Sequence, residues 1–221
     1  MSADAELDVR GGSSRRISLR VVGIALVLLV VAAIAADTTY KKPGEVSATG
    51  RKEFDPAQYG KATFPKVSAA VEKDAVPIGE LLPALQKDQD AAGEQYGKRQ
   101  GSSPYNFATS GEGIAGKPQG GLLPLKIKGV PKDVQVSVQI GPALNGTALR
   151  DVVGFIKFGQ FTNQVEYADA ATALNTQVKE QVLNDVDRAS LQGKRVSFVG
   201  AFSLLVPTAV TVMPVKLETS G

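Results

Sequence analysis

The feature that most constrains the fold is a change of hydrophobic period that happens twice. From Tyr105 to Ile140 apolar and polar residues tend to alternate. From Gln164 onward the apolar positions Val165, Ala168, Ala171, Leu174, Val178, Val182 and Val186 recur every three or four residues, and from Arg195 to Leu217 alternation returns. Alternation puts side chains on opposite faces of a strand, whereas the longer spacing gathers them on one helix face. The chain must therefore fit a block of strands, one helix over 164–188 and two final strands into one antiparallel system. Two α+β architectures do so. One is an OB-like Greek-key barrel with the helix plugging an open end; the other is an open sheet with the helix on one face. The glycine spacing in LQGKRVSFVGAF implies tightly curved strands and favours the barrel.

Within this 101–221 domain the spacing predicts strands at Tyr105–Ala115, Leu122–Lys128, Val134–Ile140, Arg195–Leu205 and Val210–Leu217, with a further one at Thr147–Phe158 after the turn dipeptide Asn145-Gly146. Residues 54–100 read as a small helical domain. Asp55-Pro56 signals a helix start, followed by a stripe of Tyr59, Ala62, Val67, Ala70 and Val71 that Pro65 interrupts. A second start at Val76-Pro77 leads to Ile78, Leu81, Leu82 and Leu85 on one face, and a third helix covers Asp90–Tyr96.

Ahead of these lie a cytoplasmic tail (1–20) ending in SSRRISLR, the apolar run VVGIALVLLVVAAIAA (21–36) and a polar linker (37–53). The run spans ~24 Å as a helix, a little short of a ~30 Å hydrocarbon core, and its basic flank places the N-terminal side in the cytoplasm. It reads as a transmembrane anchor or as a signal segment, since Ala33 and Ala35 form an A-x-A cleavage pattern. A lipoprotein signal needs a cysteine after the run, and the sequence has none.

The sequence also contains no histidine. Without His or Cys it cannot build a Ser-His-Asp or Cys-His nucleophile or the usual zinc and copper sites, which leaves carboxylate acid/base work, a Ser/Lys pair or an oxygen-ligand site for a hard cation; no spacing singles one out, and no cofactor and no metal are expected. A net charge of +3 with both signs interspersed gives no extended basic face for nucleic acid. The expected protein is not an enzyme.

Most of the unusual chemistry sits between Ile140 and Asn175. Arg150 and Asp151 are adjacent, so in a strand they point to opposite faces and each needs another partner. Asn163, Gln164, Glu166 and Tyr167 cluster at the start of the helix, with Phe158 and Phe161 just before it. One reading is a ligand pocket, with Arg150, Asp151, Asn163, Gln164, Glu166 and Tyr167 around a hydroxylated or anionic molecule. The other is structural: Arg150 pairs with Glu166 or Asp169 to lock the helix in place, and Asn163 caps it.

The segments FDPAQY, DAAGEQYGKRQGSSPYNF, IGPALNGTALRDVVGFIKFGQFTNQVEYADAATALN and DRASLQGKRVSFVGAF together resemble a bacterial family of predicted periplasmic lipoproteins, a domain of unknown function. That resemblance implies a helical region beside an OB-like β domain and a gene neighbourhood shared with sugar ABC transporters. It carries no known site residues. The expectation is a single-pass cell-membrane protein with its C-terminal domain extracytoplasmic, periplasmic or on the cell surface. It would serve as a non-enzymatic accessory that contacts a sugar transporter permease or its solute-binding protein. The alternative is a sugar-binding module acting on its own.

Overall fold

A computed structural model describes residues 53–220; the tail, the apolar run and all but the last residue of the linker lie outside them. Among the described residues no helix is long and apolar enough to cross a membrane.

Five strands close a ring. β3 (Asn106–Ala115) pairs antiparallel with β4 (Leu122–Ile127), and β4 with β5 (Gln135–Gln139). β5 runs parallel to β7 (Ala209–Ser220), which pairs antiparallel with β6 (Arg195–Ser203), and β6 returns to β3. Two short strands, β1 (Val76–Pro77) and β2 (Gly97–Lys98), add to β3. The expected OB-like barrel is thus present, its strands within a few residues of the ranges read from alternation. Curvature is concentrated where the β6–β7 register shifts between Val199 and Gly200. A side chain at Gly200 would collide with the Met213 carbonyl oxygen, so only glycine fits the bulge.

Inward residues Phe107, Leu123, Val136, Val138, Phe198, Phe202, Val210 and Val212 form one core. It is completed by Ile78, Leu81, Leu82 and Leu85 of α2 (Ile78–Lys87), with α3 (Gln89–Tyr96) following directly. The helix that closes the barrel core therefore precedes the strands, whereas the expectation gave that place to the helix after β5. Residues 54–100 have no core of their own; they belong to the same compact unit as the barrel.

A second core lies outside the ring. There α1 (Pro56–Asp74), α4 (Ala148–Val152) and α5 (Gln164–Gln177) pack over β3, β6 and β7 through Phe64, Val67, Leu149, Val152, Leu174, Ala201 and Met213. α1 begins as predicted, the Asp55 side chain accepting from the Gln58 amide at 3.0 Å. It runs unbroken through Pro65. An internal proline disfavours a helix by about 3 kcal/mol, and burial of Phe64, Val67 and Val71 around it is of the size to offset that. α1 and α5 approach closely: a side chain at Gly60 would lie 2.8 Å from the Ala173 carbonyl oxygen.

Two further expectations are corrected. Thr147–Phe158 holds no strand; it forms α4, a loop and a 3-10 turn at Phe158–Gln160. Its buried residues, Leu149, Val152, Val153 and Ile156, follow i, i+3, i+4, i+7 spacing, which is helical, and Gly154 at φ +72° ends the helix. The helix predicted over 164–188 stops at Gln177 and passes into a π turn at Val178–Val182, closed by the Leu183 amide on the Val178 carbonyl at 3.1 Å. The slip lets Leu183, in place of Val182, reach the core, while Val165 at the other end of the expected stripe is 67% exposed.

Candidate functional site

Two places on the domain have the chemistry to matter: the polar cluster read from sequence and a groove on the bare side of the barrel.

The structure brings Arg150, Asp151 and Tyr167 together. In α4 the adjacent Arg150 and Asp151 diverge by about 100°, not the near-opposite directions of a strand, and the long arginine folds back to pair with its neighbour. Arg150 Nε donates to Asp151 Oδ1 at 2.8 Å and Nη2 to Oδ2 at 3.1 Å, while Nη1 donates to the Tyr167 carbonyl at 2.9 Å. Its guanidinium lies 3.6 Å from the centre of the Tyr167 ring. The Tyr167 hydroxyl donates to Asp151 Oδ1 at 3.3 Å and accepts from Gln100 Nε2 at 3.1 Å. Arg150 is only 8% exposed. The arginine thus joins α4 to the first turns of α5, but through Asp151 and Tyr167; the expected pairing with Glu166 or Asp169 is not formed.

The remaining predicted residues lie beside this knot and not in it. Asn163 caps α5, accepting from the Glu166 amide at 2.9 Å, and Glu166 turns back to accept from the Thr162 amide at 2.8 Å. Gln164 is exposed at the first position of the helix. Among the described residues every buried side-chain polar atom has a partner, so the cluster is internally satisfied.

Burial raises the pKa of the Tyr167 phenol above its ordinary 10.0, with Asp151 acting in the same direction and Arg150 against it. Burial also raises that of Tyr59, opposed by a hydrogen bond with Thr63. A proton held more tightly in the folded state stabilises it fully below the unfolded pKa, and that contribution disappears as pH rises through the raised value. Denaturation midpoints are therefore expected to hold up to about pH 10 and decline above it, with Tyr167→Phe making the decline shallower. Urea titrations across the alkaline range check this.

The groove lies over the outer faces of β4 and β5 and has a volume of about 970 Å³. Alternation along β4 turns Leu122, Pro124 and Lys126 outward against Gln135 and Ser137 of β5, and the β4–β5 turn adds Lys128, Val130, Pro131 and Lys132; Lys117 stands at the other end. No carboxylate lines it. None of the four lysines has an ion-pair partner among the described residues. The acid of the turn, Asp133, faces away and accepts from Gln86 Nε2 at 3.1 Å. The result is a wide, open, basic concavity with an apolar floor. Sequence reasoning passed it over because a net charge of +3 hides a local excess, although Lys126 and Lys128 already stood on one face of a predicted strand.

Among the described residues no group of three or more Asp and Glu side chains converges as a metal site. The sequence matches the model of a family described as predicted periplasmic lipoprotein, domain of unknown function 2291, over residues 25–218. The chain belongs to this family. The match begins inside the apolar run, spans every described helix and the first six strands, and ends two residues short of the end of β7. Its family is thus one of extracytoplasmic lipoproteins by description, yet this member has no cysteine to carry a lipid. Among solved structures, an OB-fold protein from Thermotoga maritima is similar with a TM-score of 0.62 and 24% identity, covering 76% of this chain and 100% of its own. At that identity the likeness establishes the fold alone. No curated protein matches the sequence.

Proposed function

We propose that the protein is a membrane-tethered, non-enzymatic extracytoplasmic domain that grips an acidic surface of a partner protein in the β4–β5 groove. In line with the gene neighbourhood that the family resemblance implies, the partner is a permease or solute-binding component of a carbohydrate ABC transporter. The observation that carries this reading is the groove itself: four lysines without carboxylate partners among the described residues, around an apolar floor, on an open face. Several features support it. The second and third strands of an OB barrel form the face on which such folds commonly hold ligands. Openness suits an extended partner better than an enclosed small molecule, and unpaired like charges steer an oppositely charged surface into place. By contrast, the polar atoms of Arg150, Asp151, Asn163, Glu166 and Tyr167 are engaged with one another or with nearby backbone, which supports a structural role for them over a sugar pocket. The proposed tether is the apolar run 21–36, since the sequence holds no cysteine that could carry a lipid.

The test is capture of partners by full-length tagged protein from gently solubilised, briefly crosslinked host membranes. It is run beside a variant in which Lys117, Lys126, Lys128 and Lys132 are all Glu. Wild type is expected to enrich a sugar transporter component at least about tenfold over the variant, since rim charges act mainly on association and each 1.4 kcal/mol is tenfold. Melting of the exposed variant should be nearly unchanged. Equal capture by both proteins would overturn the groove reading, and a reproducible partner unrelated to transport would overturn the transporter assignment.

A further inference from the structure

Asn145 and Gly146 form the one Asn-Gly pair of the sequence and lie in the loop between β5 and α4. The reactivity of such a pair depends on two groups. The carboxamide carbon Cγ of the asparagine is an electrophile, and the backbone nitrogen of the following residue can close a five-membered ring on it. The structure leaves both accessible, since Asn145 and Gly146 are exposed. A Cβ at Gly146 would meet no atom within 4 Å, so nothing crowds the nucleophile, and φ of +113° suits a glycine there.

The other four asparagines are engaged through their side chains, and none precedes a glycine. Asn106 donates to the Lys98 and Pro104 carbonyls and accepts from the Ser203 hydroxyl. Asn163 accepts from the Glu166 amide, Asn175 donates to the Gly146 carbonyl and Asn184 donates to Asp185. Asn145 differs: its hydrogen bonds among the described residues run through its backbone, which leaves the carboxamide free.

Those backbone bonds restrain it. The Asn145 amide donates to Gln139 Oε1 at 2.9 Å, and Gln139 Nε2 donates to the Asn145 carbonyl at 2.8 Å. Ring closure has to turn the peptide between Asn145 and Gly146, and so has to swing the carbonyl that Gln139 holds. Both bonds are exposed to solvent, where a single hydrogen bond contributes little and local opening is frequent. The restraint therefore slows the reaction without stopping it.

We propose that Asn145 is a site of spontaneous deamidation in the folded protein and that Gln139 sets its rate. The Gly146 nitrogen bonds to Asn145 Cγ, the bond from Cγ to the carboxamide nitrogen breaks, and ammonia departs with the proton from the Gly146 amide. Water then opens the succinimide at either carbonyl, giving aspartate or isoaspartate. Each product adds a negative charge. Isoaspartate also inserts a methylene into the main chain between points that Gln139 and Asn175 hold, which loosens the entry into α4. Nothing in this depends on the groove or on the tether.

The test incubates the full-length protein in warm, mildly alkaline buffer with mild detergent and follows its peptides by mass spectrometry, with fragmentation that separates aspartate from isoaspartate. The Asn145 peptide is expected to gain the mass by which oxygen exceeds NH, mostly as isoaspartate, while peptides carrying Asn106, Asn163, Asn175 and Asn184 stay unchanged. Gln139→Met keeps the side-chain length without the two hydrogen bonds and should convert several-fold faster. Gln139→Glu, which retains the acceptor and loses the donor, should fall between them and serves if Gln139→Met does not fold. Asn145→Ser should gain no mass at this position. An unconverted Asn145 in the folded wild type, or another asparagine converting as fast, would overturn the assignment of the site. Equal rates in wild type and the Gln139 variants would overturn the role of Gln139.

Discussion

Arg150→Ala is expected to destabilise the domain by about 3 kcal/mol, the lower end of what removing one member of a buried ion pair does. The lower end applies because the Asp151 side chain is 17% exposed and keeps the Tyr167 hydroxyl, so its charge is not left wholly unsolvated. The loss has three parts: a carboxylate without its counter-ion, a Tyr167 carbonyl without its donor, and a ring without the cation over its face. For a domain of this size the melting temperature should fall by about 6–12 °C. Arg150→Lys should recover only part of the loss, since an ammonium cannot make the fork to Asp151 and reach the carbonyl as well. Arg150→Met with Asp151→Leu should be far less harmful than Arg150→Ala alone, because both charges leave together. Denaturant titrations of the set decide the matter. An Arg150→Ala protein that melts like wild type would remove the structural role and return this cluster to consideration as a ligand site.

Leu81→Ala is expected to destabilise by about 3–5 kcal/mol, because a fully buried leucine that cannot be replaced by neighbouring atoms loses both its transfer free energy and its packing. Leu81 is 0% exposed and belongs to the barrel core with Phe107, Phe198 and Phe202, although it comes from a helix that precedes every strand of the ring. Val165→Ala, on the helix that follows β5 and at a position the periodic stripe had marked for burial, should change stability by less than about 0.5 kcal/mol. Together the two measurements locate the helix that seals the barrel. Were Leu81→Ala mild and Val165→Ala severe, α2 would be peripheral and the assignment of the core would be wrong.

How far the fold could be read in advance depended on whether the apolar period matched one face only. β5 alternates cleanly because one side meets the core and the other meets water, and its range was legible to within a residue. α2 was equally legible, since Ile78, Leu81, Leu82 and Leu85 all face one core. α4 was not: its five residues make little more than one turn, the helical spacing is completed only by Val153 and Ile156 beyond it, and the pair Val152-Val153 imitates a strand. α5 starts at Gln164 as expected but was misjudged in its C-terminal end and in the burial of Val165. Its stripe is diluted by alanines, and a π turn shifts the phase by one residue, which no fixed spacing anticipates. At the polar cluster, Asn163 caps α5 as read, but the partners of Arg150 were misread for the same reason. Arg150 and Asp151 diverge on a strand, but side chains of a short helix followed by a loop are free to fold onto each other. The groove was missed because its lysines come from two turns and the strand between them, which only the folding of the successive strands onto one face brings together.

The order in which the ring closes bears on how such a chain is made. β7 is the last strand, and it alone joins β5 to β6. Until Ala209–Ser220 has emerged, whether from the ribosome or through an export channel, the sheet β5-β4-β3-β6 is left with two open edges, one on β5 and one on β6, bearing unpaired amides and carbonyls. The nascent domain is therefore at its most aggregation-prone just before β7 is available, when α2 and most of the apolar core are already present but unsealed. A holding chaperone would have to act in that late window, and loss of β7 as a whole would be as damaging as loss of an earlier strand of the ring.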